Sequence, residues 1–348
     1  MLINTIDTFI SKKTFYGLLI FASSSLSQHA YAGETLDKVK ERGFINCGVS
    51  TGITGFSKAN SKGQWEGLDV EYCQALSSAI FGDKTYVNYI PLTPTERFAA
   101  IQSGEVDVLA RNTTWSLSHD TAYNIHFVGI NYYDGQGILV KQNLNIQSPE
   151  QLHKKRICVT ANTTSQLNLR DYFNKHSLTY KEIVYDTSIK AIKGLDANRC
   201  DAFTSDASGL YGLRLQLQDP NSAVVLNTLI SKEPLGPAVK MGDQQWYNIA
   251  KWTLFLMINA EEYGVSSKNV DAMRSSVEPV IQRLLDLDGD FAEKLGLDKG
   301  WSLQVLRKVG NYGESFERTL GFNSPLKINR GYNHLWLNEG LLYAPPMR

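Results

Sequence analysis

Apolar and polar positions along this chain follow two alternating periods. Short apolar runs at 44–49, 85–92 and from Val106 onward read as buried strands. Between them, 36–42, 68–80 and 94–103 carry the three-to-four-residue apolar spacing of helices. Strand and helix in alternation predict an α/β domain. The same rhythm returns in the middle of the chain, with strands at 156–160, 182–185 and 201–204 and helices at 165–175, 188–197 and 208–218. Each block is long enough for its own core, yet no flexible linker separates them. The second block is flanked instead by extended segments at 135–140 and 233–239. Two extended crossings around a middle block predict a hinge, with the middle domain inserted into the first. The most apolar helix is expected at 246–262. Its apolar stretch is short and is bounded by Lys251 and Glu261-Glu262, which predicts a buried helix rather than a membrane span. The remainder, to Arg348, reads as helical and then becomes rich in Gly, Asn and Tyr, with no function attached to it.

Composition narrows the class. A chain of 348 residues accommodates two domains. Its 35 basic side chains balance 35 acidic ones, so charge gives no reason to expect nucleic acid or an anionic membrane as partner. A hydrophobic content of 43% fits a globular protein with a full core. At the N-terminus, Lys12-Lys13 precede an apolar stretch at 14–26 and the small-x-small site Ala30-Tyr31-Ala32. This is the pattern of a cleaved signal peptide covering 1–32. The stretch is too short to span a bilayer, and no cysteine at the cleavage site offers a lipid anchor. The expected mature protein starts near Gly33 in an exported compartment, which for a bacterial chain is the periplasm. Export permits disulfides among the four cysteines, Cys47, Cys73, Cys158 and Cys200. Three pairings are possible. Two cysteines lie early and two in the middle, which favours Cys47–Cys73 and Cys158–Cys200, one bridge in each domain.

The candidate chemistry sits at strand ends. Asn-Thr-Thr occurs twice, at Asn112-Thr113-Thr114 and Asn162-Thr163-Thr164, each time after an apolar run. In open α/β sheets, ligands bind at the carboxyl ends of the strands. Thr163 and Thr164 stand at or beside the start of a helix, where backbone N–H groups and threonine hydroxyls favour an anion. Two such ends facing each other enclose a small polar ligand; the plainer alternative is a pair of ordinary turns. Asp206 closes a strand and has two readings, partner of a ligand ammonium or helix cap. The glycine-rich stretch after the first strand lets backbone approach a ligand, with Phe56 as an apolar wall.

Other motifs are excluded. Gly48-Val49-Ser50-Thr51-Gly52 matches the hydrolase nucleophile elbow, but loop residues rather than a helix follow it. Asp286, Asp288 and Asp290 hint at a calcium loop, but Leu297 stands where a glutamate is required. The six histidines show no metal spacing, and no cofactor is expected. Both Asn-Thr-Thr copies also match the glycosylation acceptor, which without a eukaryotic host is chance.

Several stretches carry a family resemblance. Ser103-Gly104-Glu105-Val106-Asp107-Val108-Leu109-Ala110-Arg111-Asn112-Thr113-Thr114-Trp115 resembles the signature of periplasmic general L-amino-acid binding proteins of ABC transporters. The stretches 67–73, 198–202, 230–239, 309–314 and 335–336 match as well, so the resemblance spans the mature chain. It implies an α/β fold of the type II periplasmic binding protein class: two α/β lobes joined by two hinge strands, with a helical C-terminal extension. The expected boundaries are 33–138 and 237–348 for lobe one and 139–236 for lobe two. It also implies ligand capture between the lobes, hinge closure, and delivery to a membrane permease. In the family, threonines at a lobe-two helix start and a lobe-one arginine hold the α-carboxylate, and an aspartate holds the α-ammonium. Carried onto this chain, these are Thr163, Thr164 and Asp206, with Asn112, Thr113 and Thr114 as lobe-one contacts. Two positions depart from the pattern. The family's usual Trp-Thr-x-x-Arg-Asp is here Trp115-Ser116-Leu117-Ser118-His119-Asp120, so the arginine is replaced by His119. Its usual Gly-Thr-Thr is here Asn162-Thr163-Thr164. His119 is expected to act as a cation only at acidic pH; Arg111, nearby in sequence, is the alternative carboxylate partner. The alternatives in other classes are a periplasmic enzyme on the same fold, such as a dehydratase, and a ligand sensor.

Overall fold

The computed structural model describes residues 33–348, and the expected signal peptide at 1–32 lies outside the described residues. The first part of lobe one runs α1 (Glu34–Arg42), β1 (Ile45–Val49), a small hairpin β2 (Lys58–Ala59) and β3 (Trp65–Glu66), then α2 (Leu68–Phe81), β4 (Val87–Pro91), α3 (Arg97–Ser103), β5 (Val108–Leu109), α4 (Leu117–Ala122) and β6 (Ile125–Phe127). The chain crosses through β7 (Tyr132–Asp134) into lobe two: β8 (Gln136–Lys141), β9 (Arg156–Thr160), α5 (Thr164–Lys175), β10 (Lys181–Tyr185), α6 (Ser188–Asp196), β11 (Ala202–Asp206), α7 (Ala207–Arg214) and β12 (Ala223–Val225). It returns through β13 (Glu233–Leu235) to β14 (Ala238–Lys240) and α8 (Gln244–Glu262). Short helices follow: α9 (Val270–Met273), α10 (Pro279–Leu284), α11 (Phe291–Leu295), α12 (Trp301–Lys308) and α13 (Tyr312–Thr319).

Each lobe is built on a five-stranded sheet, β4-β1-β5-β14-β6 in lobe one and β10-β9-β11-β8-β12 in lobe two. The βαβ pairs are parallel: β1 with β4 and β5, and β9 with β10 and β11. The strands next to the crossings, β14 and β8, run antiparallel to their neighbours. Strands covered on both faces read as continuous apolar runs. Accordingly, Leu139 of β8 packs on one side with Ala191, Leu195 and Leu213, while Ile138 and Val140 pack on the other with Leu169 and Phe173. Gly48 in β1 is a packing glycine. A Cβ there would stand 2.9 Å from Leu92 Cδ1 and 3.1 Å from Leu109 Cδ1. Ser50 beside it is buried against Ser57, with the two Oγ atoms 2.7 Å apart, so the elbow-like motif is structural.

The extended segment expected from 135 joins the lobe-two sheet as β8, so the first crossing is the shorter β7 just before it. β7 pairs antiparallel with β13, Tyr132 opposite Leu235 and Asp134 opposite Glu233. The cysteines form Cys47–Cys73, which ties β1 to α2, and Cys158–Cys200, which ties β9 to the turn before β11. The helix expected at 246–262 is α8. It is packed against α2, α12 and α13 in the largest core, and among the described residues no helix is long and apolar enough to cross a membrane. The C-terminal segment beyond α13 folds back onto the hinge. Asn333 Oδ1 accepts from the Tyr133 N–H at 2.7 Å, and its Nδ2 donates to the Tyr133 carbonyl at 3.1 Å.

Candidate ligand site between the lobes

The two Asn-Thr-Thr copies share a backbone device. Asn112 (φ 45°) and Asn162 (φ 57°) both adopt the left-handed conformation, which asparagine tolerates better than most residues. Each asparagine turns the chain sharply at a strand end, and Thr114, Thr163 and Thr164 reach the space between the lobes. This also explains how Asn162 stands where the family usually carries glycine, since both reach this conformation. In the second copy, Thr163 is the N-cap of α5; its Oγ1 accepts from the Gln166 N–H at 3.3 Å.

The copies meet. Thr114 Oγ1 and Thr164 Oγ1 lie 3.3 Å apart, and both donate to Glu233 Oε2, at 2.6 and 3.0 Å. The other oxygen of Glu233 accepts from Asn168 Nδ2 and Ser231 Oγ, each at 2.6 Å. Glu233 therefore sits on hinge strand β13 with four donors drawn from both lobes. Three more bonds cross between the lobes: Asn112 Nδ2 to Asp206 Oδ2 at 3.1 Å, Asn162 Nδ2 to Thr95 Oγ1 at 2.8 Å, and Gln216 Nε2 to the Gly52 carbonyl at 3.5 Å. The lobes are closed on one another.

Asp206 occupies the N-cap position of α7 but makes no side-chain cap bond. Asp134 does that work from the hinge, accepting from the Ser208 N–H at 3.2 Å and from its hydroxyl. The Asp206 carboxylate is thereby released from capping and turned toward lobe one, where Asn112 is its hydrogen-bond partner. Burial, together with the negative charges of Glu233 and Asp134, pushes its pKa well above the usual carboxylate range. Loss of solvent likewise raises Asp134 to about 6, partly offset by its bonds to Ser208 and Gly135. Asp69, buried beneath the first copy, accepts from the Asn112 N–H at 2.8 Å and from Asn131 Nδ2 at 3.2 Å. Burial lifts it to about 6 against those bonds and the Arg111 charge.

Arg111 is buried, and burial lowers its pKa to about 10 while Asp69 and Asp206 hold it up. Among the described residues its Nε has no partner, and the same is true of Arg97 Nε, Asn112 Oδ1 and Gln136 Oε1. Thr113 is fully buried and lies 3.5 Å from an Arg97 terminal nitrogen.

Two of the expected site residues are placed as follows. His119 lines the cleft between the lobes. Its Nδ1 lies 2.8 Å from the Thr114 carbonyl, to which it donates, and its ring packs on Phe98 with centroids 4.9 Å apart. Burial and the nearby Arg97 charge push its pKa below the ordinary histidine value, against the bond to the Thr114 carbonyl. Phe56 is not a free wall of the cleft but a core residue of lobe one, 1% exposed and edge-on to Tyr132 at 5.3 Å. An open cleft of about 570 Å³ does lie between the lobes, lined on one side by Thr95, Phe98 and His119 and on the other by Asn162, Thr163 and Thr164. Asp206, Arg111 and Asn112 do not line it.

Sequence reasoning missed Arg97, Asp69, Asp134, Gln136 and Glu233. Two carried a signal. A cation in the first turn of a helix opposes the helix dipole, which singles out Arg97 in the helix expected at 94–103. Glu233 is a lone charge in an otherwise apolar crossing strand.

Comparison with known proteins fits this geometry. Residues 45–277 match the family described as bacterial extracellular solute-binding proteins, family 3. The chain is 49% identical over 321 residues to the general L-amino acid-binding periplasmic protein AapJ of Rhizobium johnstonii, covering 92% of this chain and 94% of that one. It is 46% identical over 340 residues to the putative amino-acid ABC transporter-binding protein YhdW of Escherichia coli strain K12, covering 97% of this chain and all of that one (100%). A solved ABC transporter periplasmic binding protein from Brucella ovis with glutathione bound superposes with a TM-score of 0.89 at 49% identity, over 90% of this chain and 99% of that one.

Proposed function

The chain belongs to the bacterial extracellular solute-binding proteins, family 3, and from that premise we propose that it captures an amino acid between its two lobes in the periplasm and delivers it to the permease of an ABC transporter. It performs no chemistry on what it carries. The single observation that carries the amino-acid reading is Asp206. This carboxylate is buried, is relieved of helix capping by Asp134, and among the described residues holds only Asn112 as hydrogen-bond partner. An ammonium group supplies both the charge and the donors that it lacks. Arg111, with Thr163, Thr164 and the N-terminus of α5, offers the positive charge and donors that attract a carboxylate. Asn112, Thr113 and Thr114 shape the lobe-one side.

The test is a thermal-shift screen of the common amino acids, since ligand stabilises the bound form by mass action, followed by calorimetry on each hit. Glutathione joins the screen because the Brucella ovis relative holds it. For a hit with an α-ammonium, Asp206→Asn is expected to weaken binding by about 2–5 kcal/mol. Unchanged affinity would reduce Asp206 to a structural residue. One observation favours a second reading, an enzyme such as a dehydratase: the cleft contains carboxyls whose pKa is raised. Recovery of each ligand chemically intact after prolonged incubation supports carriage, whereas product formation supports the enzyme.

A further inference from the structure

Away from the cleft, and independently of what the cleft carries, we propose that lobe one holds a second binding site that takes a small aromatic carboxylate. The site is a cavity of about 220 Å³ between α8, α11, the start of α12 and Met347. It shares no lining residue with the cleft between the lobes. Most of its wall also lies beyond residues 45–277, the segment that matches the family. It is thus a feature of the C-terminal helices and not of the shared two-lobed frame.

Helix periodicity builds the lining. Asn248 and Trp252, four residues apart on α8, fall on one helix face. Phe291 and Leu295 are spaced in the same way on α11, with Lys294 beside them. The rings of Trp252, Phe291 and Trp301, together with Leu295 and Met347, make most of the wall apolar. A cavity of roughly 150 Å³ already admits benzene, so this one admits a single ring with a short side chain.

The polar groups decide the charge of that side chain. Trp301 is 2% exposed, and among the described residues its Nε1 has no hydrogen-bond partner. A buried indole N–H ordinarily finds an acceptor; the indole that carries this one lines the cavity. Asn248 Oδ1 accepts from Gln244 Nε2 at 3.1 Å, which leaves the Asn248 amide hydrogens for another acceptor. Lys294 and Arg348 add two cations, and no acidic side chain lines the cavity. Asp290, the ion-pair partner of Lys294 at 2.8 Å, lies outside the lining. Rings for walls, with donors and cations but no carboxylate among the lining side chains, select an aromatic acid over an aromatic amine. A wholly apolar molecule would leave the Trp301 N–H unpaired.

Calorimetry on the mature protein with phenylacetate, compared with 2-phenylethylamine, tests this. Phenylacetate is expected to bind saturably at one site, at least about tenfold tighter than the amine. Trp301→Phe keeps a ring and removes the N–H; it is expected to weaken phenylacetate about tenfold without weakening the amine. Lys294→Glu reverses a charge at the rim and is expected to cut the preference for acid over amine about fivefold. Should Trp301→Phe fail to fold by circular dichroism, Lys294→Glu decides, since that side chain is exposed. Absence of saturable phenylacetate binding up to millimolar concentration, or equal affinity for acid and amine, overturns the proposal. So does undiminished acid binding in the folded Trp301→Phe variant, or an unchanged preference in Lys294→Glu.

Discussion

At the scale of single residues, the cleft trades stability for readiness. Asp69 and Asp134 have pKa values raised to about 6, and Asp206 is raised further. In the unfolded chain such groups titrate near 3.8. Between that value and about 6, the folded protein therefore binds more protons than the unfolded chain. Stability from these groups is fully present below the unfolded value and is lost as pH rises through the folded ones. The ligand-free protein is expected to melt at a higher temperature at pH 5 than at pH 7.5. Asp206→Asn, which cannot ionise, should raise the melting temperature at pH 7.5 and change it little at pH 5, while it weakens ligand binding. Scanning calorimetry at the two pH values checks this. Equal melting temperatures for wild type and variant at pH 7.5 would show that Asp206 is already relieved of its charge cost.

At the scale of elements, the work is done at strand ends and helix starts. Thr163 caps its own helix, but α7 is capped from outside by Asp134, and that substitution of one carboxylate for another leaves Asp206 available. The hinge shows a similar borrowing. Strand β7 pairs with β13 on one edge, while on the other Asn333 imitates a strand, accepting from the Tyr133 N–H and donating to its carbonyl. Two hydrogen bonds of this kind contribute roughly 0.5–1.5 kcal/mol each. Asn333→Ala is expected to speed exchange of the Tyr133 amide about tenfold, with no change at the amides of β9. Hydrogen exchange followed by mass spectrometry or NMR reads it. Unaltered exchange at Tyr133 would mean that the hinge does not depend on the C-terminal segment.

At the scale of the whole molecule, closure depends on how near the lobes can come. Gly212 on α7 lies against the loop after β1; a Cβ there would stand 2.6 Å from the Thr54 carbonyl oxygen. This contact lies between the lobes. Gly212→Val is therefore expected to prop the cleft open. Ligand affinity should fall, small-angle scattering should show less compaction on ligand addition than in the wild type, and the ligand-free melting temperature should hold. Full compaction in the variant would show that the loop at Thr54 yields, and that the lobes do not need this approach to close.

What was legible in the chain follows from local physics. Strand and helix periods located β1, β9, α5 and α8 within a few residues, because apolar burial writes its period directly into the sequence. The doubled Asn-Thr-Thr marked the facing strand ends, because a left-handed turn restricts which residues can stand there. The family resemblance supplied the two-lobed frame and Asp206. The roles of Phe56 and His119 were not legible, because neighbours remote in sequence decide them: the Tyr132 ring against one, and Phe98 together with the Thr114 carbonyl against the other. Glu233 and Asp134 were silent for the same reason. A carboxylate's task depends on which donors and charges surround it, and those arrive from both lobes only when the chain has folded. Sequence alone determined the elements and the ends at which chemistry can sit, since these depend on neighbouring residues. Tertiary structure alone decided which buried charges remain unpaired, since that is a property of the completed enclosure.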